Sequence, residues 1–244
     1  MKFKKIVAFG DSWIWGDELF NPALADHPYA HPVLMENTPY RESHCFLGQL
    51  GQHYNLPTEN FGIAGGSLQS TIWTYLWWQR HETTPIDECI VLVGLTDPNR
   101  MSFYDPNHKS YANDPPWQRF VHSAWVWSGA TCYTEQWSDT VKQLFVLTDC
   151  ASQNQLNYEQ TVWFFEGQSA INGNNVLQFN TLNCVFEVSA KTMIWANTSL
   201  DGVIRSQINP TELLCPNRHP NEKGHRLLAD HLISYIDSCI INGC

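Results

Sequence analysis

The run Cys89-Ile90-Val91-Leu92-Val93 is apolar without interruption and stops at Gly94. A strand with one wet face alternates between apolar and polar residues. A continuous apolar run is buried on both faces, the environment of a central strand in a parallel sheet covered by helices on either side. Ile6-Val7-Ala8-Phe9 followed by Gly10 repeats the pattern near the start of the chain. Two such runs separated by helix-like segments predict an α/β protein with a central parallel sheet.

The segments between and after these strands fit that reading. Thr58 to Gly62 predicts a shorter strand, Ser67 a cap for the helix Leu68 to His81, and Ser43 a cap for the helix in which Phe46, Leu47 and Leu50 share a face. Later strands are predicted at 175–181 and 192–198, with the apolar stretch at 184–188 as a competitor. Asn221 predicts the start of a C-terminal helix carrying Leu227, Leu228, Leu232, Tyr235 and Ile236 at helical spacing. The interval at about 98–175 breaks the rhythm with Asp-Pro and Pro-Pro dipeptides, then an aromatic stretch, then helical spacing from Glu135 to Ser169. It reads as an aromatic-rich insertion over the sheet, within a single domain spanning 1–244.

Composition removes several function classes. The formal charge of −10 argues against a surface that tracks nucleic-acid phosphates. No apolar run reaches the roughly 18 residues of a membrane span. The first residues carry the lysines of a signal peptide, but only four apolar residues precede Gly10-Asp11, so the expectation is a strand and cytoplasmic synthesis without a signal peptide. None of the eight cysteines forms a C-x-x-C pair and Cys89 lies inside an apolar strand, which favours reduced, mostly buried thiols.

Chemistry concentrates at strand ends. Gly10-Asp11-Ser12 follows the first strand, where Asp11 or Ser12 can cap the next helix; alternatively, the Ser12 hydroxyl projects into the crevice at the carboxyl edge of a parallel sheet. In the segment that opens with Asn60, Gly62, Gly65 and Gly66 come at and after the end of the second strand and can turn a backbone N–H toward the same edge. Gly94-Leu95-Thr96-Asp97 ends the apolar strand, and His219 stands immediately before the C-terminal helix.

In order and spacing these four segments resemble the SGNH, or GDSL, hydrolase family, and the form of the first block, GDSW-x-WGDEL, is similar to phage-encoded members. The resemblance implies a flavodoxin-like three-layer α/β/α sandwich and hydrolysis of acyl esters, often acetyl groups on a carbohydrate, with no metal or cofactor. It implies Ser12 as nucleophile, His219 as base, and the backbone N–H groups of Ser12 and Gly65 as an oxyanion hole.

Two positions depart from the family pattern. Its oxyanion asparagine falls on Thr96, whose hydroxyl is expected to donate in its place, with Asn99 as a substitute donor. Its histidine-orienting aspartate falls on Pro216, so Asn217 is expected to accept the His219 Nδ1 proton, with a backbone carbonyl as the alternative. Asp17 and Glu18 are expected to make capping or loop hydrogen bonds, with a direct substrate role as the alternative. His27 and His31 have metal-pair spacing, but Pro28 and Pro32 oppose a helix there. His225 and His231 are expected to be exposed or partly buried structural residues of the C-terminal helix. Trp117, Phe120, Trp125, Trp127, Tyr133 and Trp137 suit either sugar stacking or packing against the sheet or a neighbouring subunit, packing being preferred. The leading reading is a serine esterase acting on a small-molecule or glycan ester. The alternative is a weakly active or inactive structural or receptor-binding module, for example of a phage virion, with homo-oligomer or virion assembly as its partner.

Overall fold

All side chains from Ile6 to Phe9 and from Cys89 to Val93 are fully buried, as uninterrupted apolar runs require. The computed structural model describes residues 2–26, 34–104, 120–125, 150–173, 175–182, 186, 188–195 and 198–241. In chain order the described elements are β1 (Lys5–Gly10), α1 (Ser12–Trp15), α2 (Thr38–His44), α3 (Phe46–Tyr54), β2 (Thr58–Gly62), α4 (Leu68–His81) and β3 (Cys89–Leu95). Then come β4 (Arg100–Tyr104), β5 (Phe120–Trp125), α5 (Cys150–Ile171), β6 (Val176–Asn180), α6 (Leu200–Arg205) and α7 (Glu222–Tyr235).

The main sheet is wholly parallel, in the order β2-β1-β3-β6. Alternate residues divide between its faces. Ile6, Ala8, Ile90, Leu92, Leu177 and Phe179 join a core with Phe46 and Leu50 of α3 and Leu228 and Leu232 of α7. Val7, Phe9, Val91, Val93 and Val176 join a second core with Tyr75 and Trp78 of α4 and Tyr158, Val162 and Phe165 of α5. Helices therefore cover both faces, giving the three layers that the sequence predicts. The chain leaves β1 toward β2 on one side and crosses to β3 on the other, so a topological switch point lies between the carboxyl ends of β1 and β3.

The predicted elements met different fates. Ser67 caps α4 by accepting the Ser70 N–H at 3.2 Å, and Ser70 returns the bond at 2.8 Å. Asn221 caps α7 through the Gly224 N–H at 3.1 Å. Ser43 caps nothing: it lies inside α2, which starts earlier at Thr38-Pro39, and its hydroxyl donates to the Pro39 carbonyl at 2.7 Å. The strand predicted at 192–198 shrinks to a parallel bridge between Met193 and Gln178, because Trp195 takes a positive φ of 57° that ends extended backbone. The helix predicted from Glu135 is described from Cys150, and β4 and β5 form a separate antiparallel pair. Trp117, Trp127, Tyr133, Trp137, His27 and His31 lie outside the described residues.

His225 is structural, as the sequence suggests, but fully buried where an exposed or partly buried residue was expected. Fully buried on α7, its Nδ1 accepts the Phe46 N–H at 3.2 Å. Cys45, the residue before α3, makes no side-chain capping bond, so the imidazole serves as the cap of α3 from a distant part of the chain. Burial, reinforced by the nearby His219, holds the His225 pKa down to about 3. The unfolded chain binds this proton near pH 6.5 and the folded chain does not. Stability from this group is therefore complete above about pH 6.5 and declines by about 1.4 kcal/mol per unit as pH falls toward 3. Urea midpoints between pH 7.5 and 5 should drop more steeply for wild type than for His225→Phe; parallel lines would contradict the assignment.

Candidate active site

Two glycines bring the strand ends and α1 together. Gly10 has φ 148°, and a Cβ there would meet the Gly94 carbonyl oxygen at 2.7 Å. At Gly62 a Cβ would run into the backbone nitrogen of Trp15, while Asn60 ties β2 to α1 by donating to the Ile14 carbonyl at 2.8 Å. Gly62→Ala should thus destabilise the fold by about 1–3 kcal/mol, the usual overpacking cost, and move Ser12. A urea midpoint equal to wild type would contradict that close approach.

Asp11 is fully buried and organises the sheet edge. Its Oδ1 accepts the Trp13 N–H at 3.0 Å and so caps α1. Its Oδ2 accepts the hydroxyls of Thr96 at 2.7 Å and Thr181 at 2.8 Å, with Arg100 Nη1 3.5 Å away. Hydrogen bonds and a cation compensate a carboxylate removed from water. One side chain thereby ties together the ends of β1, β3 and β6 beneath Ser12.

This arrangement corrects the expectation for Thr96. A threonine hydroxyl has one proton, and here it is committed to Asp11. Asn99 is also engaged, donating to Asp97 Oδ1 at 2.7 Å and accepting from Asn154 Nδ2 at 2.6 Å. Gly65 sits in a left-handed turn, φ 74°, in a loop whose Ile63 N–H bonds to the Gly10 carbonyl at 2.9 Å. The loop is thus fixed against the end of β1, beside the residue preceding Asp11-Ser12.

Ser12 is the first residue of α1 and only 4% exposed. Its Oγ lies 2.9 Å from His219 Nε2. On the other side of the ring, His219 Nδ1 lies 3.0 Å from Glu18 Oε2. An ionised carboxylate can only accept, so Nδ1 carries the imidazole proton and Nε2 offers its lone pair to the Ser12 hydroxyl. The hydrogen-bonded order is Glu18, His219, Ser12.

The Nδ1 partner expected at Asn217 is therefore Glu18. Asn217 donates to the other oxygen, Oε1, through its backbone N–H and its side-chain amide, both at 3.0 Å. The His219 backbone N–H adds a bond to Oε2 at 3.2 Å. The 215–219 turn, closed by the Cys215 N–H to the His219 carbonyl at 2.7 Å, wraps its donors around the Glu18 carboxylate. Asn217 orients the acid, and the acid orients the histidine.

Glu18 reaches this place because α1 is one turn long. It ends at Gly16 in the left-handed region, φ 80°, and the chain doubles back so that Glu18 itself has φ 65°. Left-handed backbone costs a non-glycine residue about 1 kcal/mol or more, held here by the surrounding bonds. The signal was present in sequence as a glycine four residues after Ser12 followed by two acids. Its meaning depended on the reversal that Gly16 makes.

No protein-family model matches the sequence, and no curated protein sequence matches it. Among solved structures, the chain is similar to a member of the lipolytic protein G-D-S-L family from Veillonella parvula DSM 2008, at 16% identity and TM-score 0.38 over 96% of this chain and 99% of that one. It is also similar to an acetyl xylan esterase from the rumen bacterium Butyrivibrio proteoclasticus, at 11% identity and TM-score 0.43 over 96% of this chain and 63% of that one. A third similar structure is that of a carbohydrate esterase, at 13% identity and TM-score 0.38 over 97% of this chain and 69% of that one. The chain is thus similar, over nearly all of its length, to solved structures of a G-D-S-L lipolytic protein and of carbohydrate esterases.

Proposed function

We propose that the protein is a serine ester hydrolase in which Ser12 attacks the ester carbonyl, His219 moves the proton and Glu18 holds the imidazole. The observation that carries this reading is the continuous contact from Ser12 Oγ to His219 Nε2 at 2.9 Å and from Nδ1 to Glu18 Oε2 at 3.0 Å, located where parallel sheets bind ligands. His219 takes the Ser12 proton as Oγ bonds to the carbonyl carbon, then delivers it to the departing alcohol. Water, deprotonated by the same nitrogen, cleaves the acyl-serine and regenerates the hydroxyl.

The negative charge that develops on the carbonyl oxygen falls to backbone donors. Ser12 occupies the first position of α1, where an N–H has no partner within its helix, and Gly65 supplies the second N–H. With Thr96 committed to Asp11, a side-chain donor of the kind expected there is missing, and loss of one such donor lowers rates by about 10²–10³. That observation favours a slow enzyme as the second reading. Glu18 beside His219 Nδ1 supports activity despite the missing acid at Pro216. A serine held at 4% exposure and followed by buried Trp13 and Ile14 suits a short acyl group such as acetyl.

The purified protein should release 4-nitrophenol from 4-nitrophenyl acetate in proportion to protein concentration. A rate equal to that of buffer alone would contradict the reading.

A further inference from the structure

Asp17 lies between the proposed nucleophile and the acid and has no part in the steps above. Its backbone N–H bonds to the Ser12 carbonyl at 3.0 Å, closing the turn after α1. Its Oδ1 accepts the Glu18 N–H at 3.0 Å, which fixes the carboxylate. The other oxygen, Oδ2, stands 3.7 Å from His219 Nε2, with the side chain 28% exposed. This is the nitrogen that Ser12 Oγ approaches at 2.9 Å.

We infer that Asp17 selects the alcohol half of the substrate, favouring an alcohol that carries hydroxyl donors or a cationic group and rejecting one with an anionic group beside the ester. The inference rests on the esterase reading and deepens it. Nε2 must come within hydrogen-bond distance of the leaving oxygen to return the proton, so the first atoms of the alcohol lie against whatever borders Nε2. Asp17 Oδ2 borders it. A carboxylate there accepts hydrogen bonds from a polyol and attracts an ammonium. It repels a uronate or a phosphate at a separation where Coulomb forces remain strong.

Two other charged groups, Glu18 and Arg41, lie near Asp17. Glu18 adds a second carboxylate on the far side of the imidazole, its oxygens occupied by the 215–219 turn. Arg41 lies over the Trp15 ring, 3.9 Å from its centroid; burial lowers its pKa, while the charges of Glu42 and Asp17 act to raise it. One cation shared in this way does not neutralise both acids.

The test compares three acetate esters that differ in the charge of the alcohol: acetylcholine, its uncharged counterpart 3,3-dimethylbutyl acetate, and 4-acetoxybutanoate. Rates are measured at pH 8 and low ionic strength for wild type and Asp17→Asn, in which the amide oxygen can still accept the Glu18 N–H. For wild type, kcat/KM should rank cationic, neutral, anionic with steps of about tenfold that shrink as salt is added. In Asp17→Asn both ratios should fall to within about threefold of unity. Ratios unchanged by the substitution, with turnover that still requires Ser12, overturn the role of Asp17 and leave the esterase reading standing. Turnover that persists in Ser12→Ala, or no turnover of any ester, overturns the esterase reading and the selection with it.

Discussion

Alanine in place of Ser12 lowers kcat for 4-nitrophenyl acetate by about 10⁴-fold or more, leaving only what oriented binding and backbone donors supply. The expectation follows from position. Ser12 Oγ is the sole group that His219 Nε2 meets at hydrogen-bond distance among the described residues, and Nδ1 is taken by Glu18. The fold should survive the change. Asp11, not Ser12, caps α1, and the buried carboxylate network beneath it does not use the Ser12 hydroxyl. Loss of one partly buried hydrogen bond costs about 1 kcal/mol. Near-wild-type kcat in a protein with an unchanged unfolding transition would remove Ser12 from the mechanism.

Glu18→Gln carries the second large effect. The carboxylate accepts four N–H bonds, two at each oxygen. A glutamine keeps one oxygen and turns an NH₂ toward the donors on the other side. With the NH₂ facing Asn217, two donors of the turn that positions His219 lose their acceptor. With it facing His219, Nδ1 becomes an acceptor, the ring proton moves to Nε2, and the base can no longer take the serine proton. Either arrangement should lower kcat by about 10²–10⁴-fold with a much smaller change in KM, because the imidazolium forms only as the reaction proceeds. Glu18→Asp keeps the charge on a shorter arm and should retain more activity than Glu18→Gln. Steady-state kinetics of the three proteins decide the matter: kcat within threefold for all of them would leave Glu18 as a loop anchor alone.

What the sequence revealed and what it hid separate along physical lines. β1 and β3 were legible because a residue pair buried on both faces must be apolar at consecutive positions, and Val7 and Ala8 pack into opposite cores. The caps at Ser67 and Asn221 were legible because a capping bond is local, spanning three residues. Ser12 and His219 were singled out by the resemblance of their segments to one family, since a serine or a histidine at an element boundary is by itself equally a structural residue, and the two side chains meet at 2.9 Å. Glu18 was not, since its approach to His219 depends on the left-handed turn at Gly16 and on a loop that lies 201 residues further along the chain. Thr96 was misread for a related reason. Its hydroxyl donates to Asp11, 85 residues away in the chain. The cap of α3 was assigned to a neighbouring serine, whereas the acceptor comes from His225, which sequence distance conceals.

The most direct measurement is phosphonylation by a fluorophosphonate, with the adduct located by peptide mass spectrometry in wild type, His219→Ala and Glu18→Gln. Such a probe reacts with a serine whose proton a neighbouring base can remove. The account predicts one adduct, on Ser12, formed more slowly in Glu18→Gln and lost in His219→Ala. An adduct on a different serine, no adduct at all, or labelling of Ser12 at the same rate without His219 would contradict it.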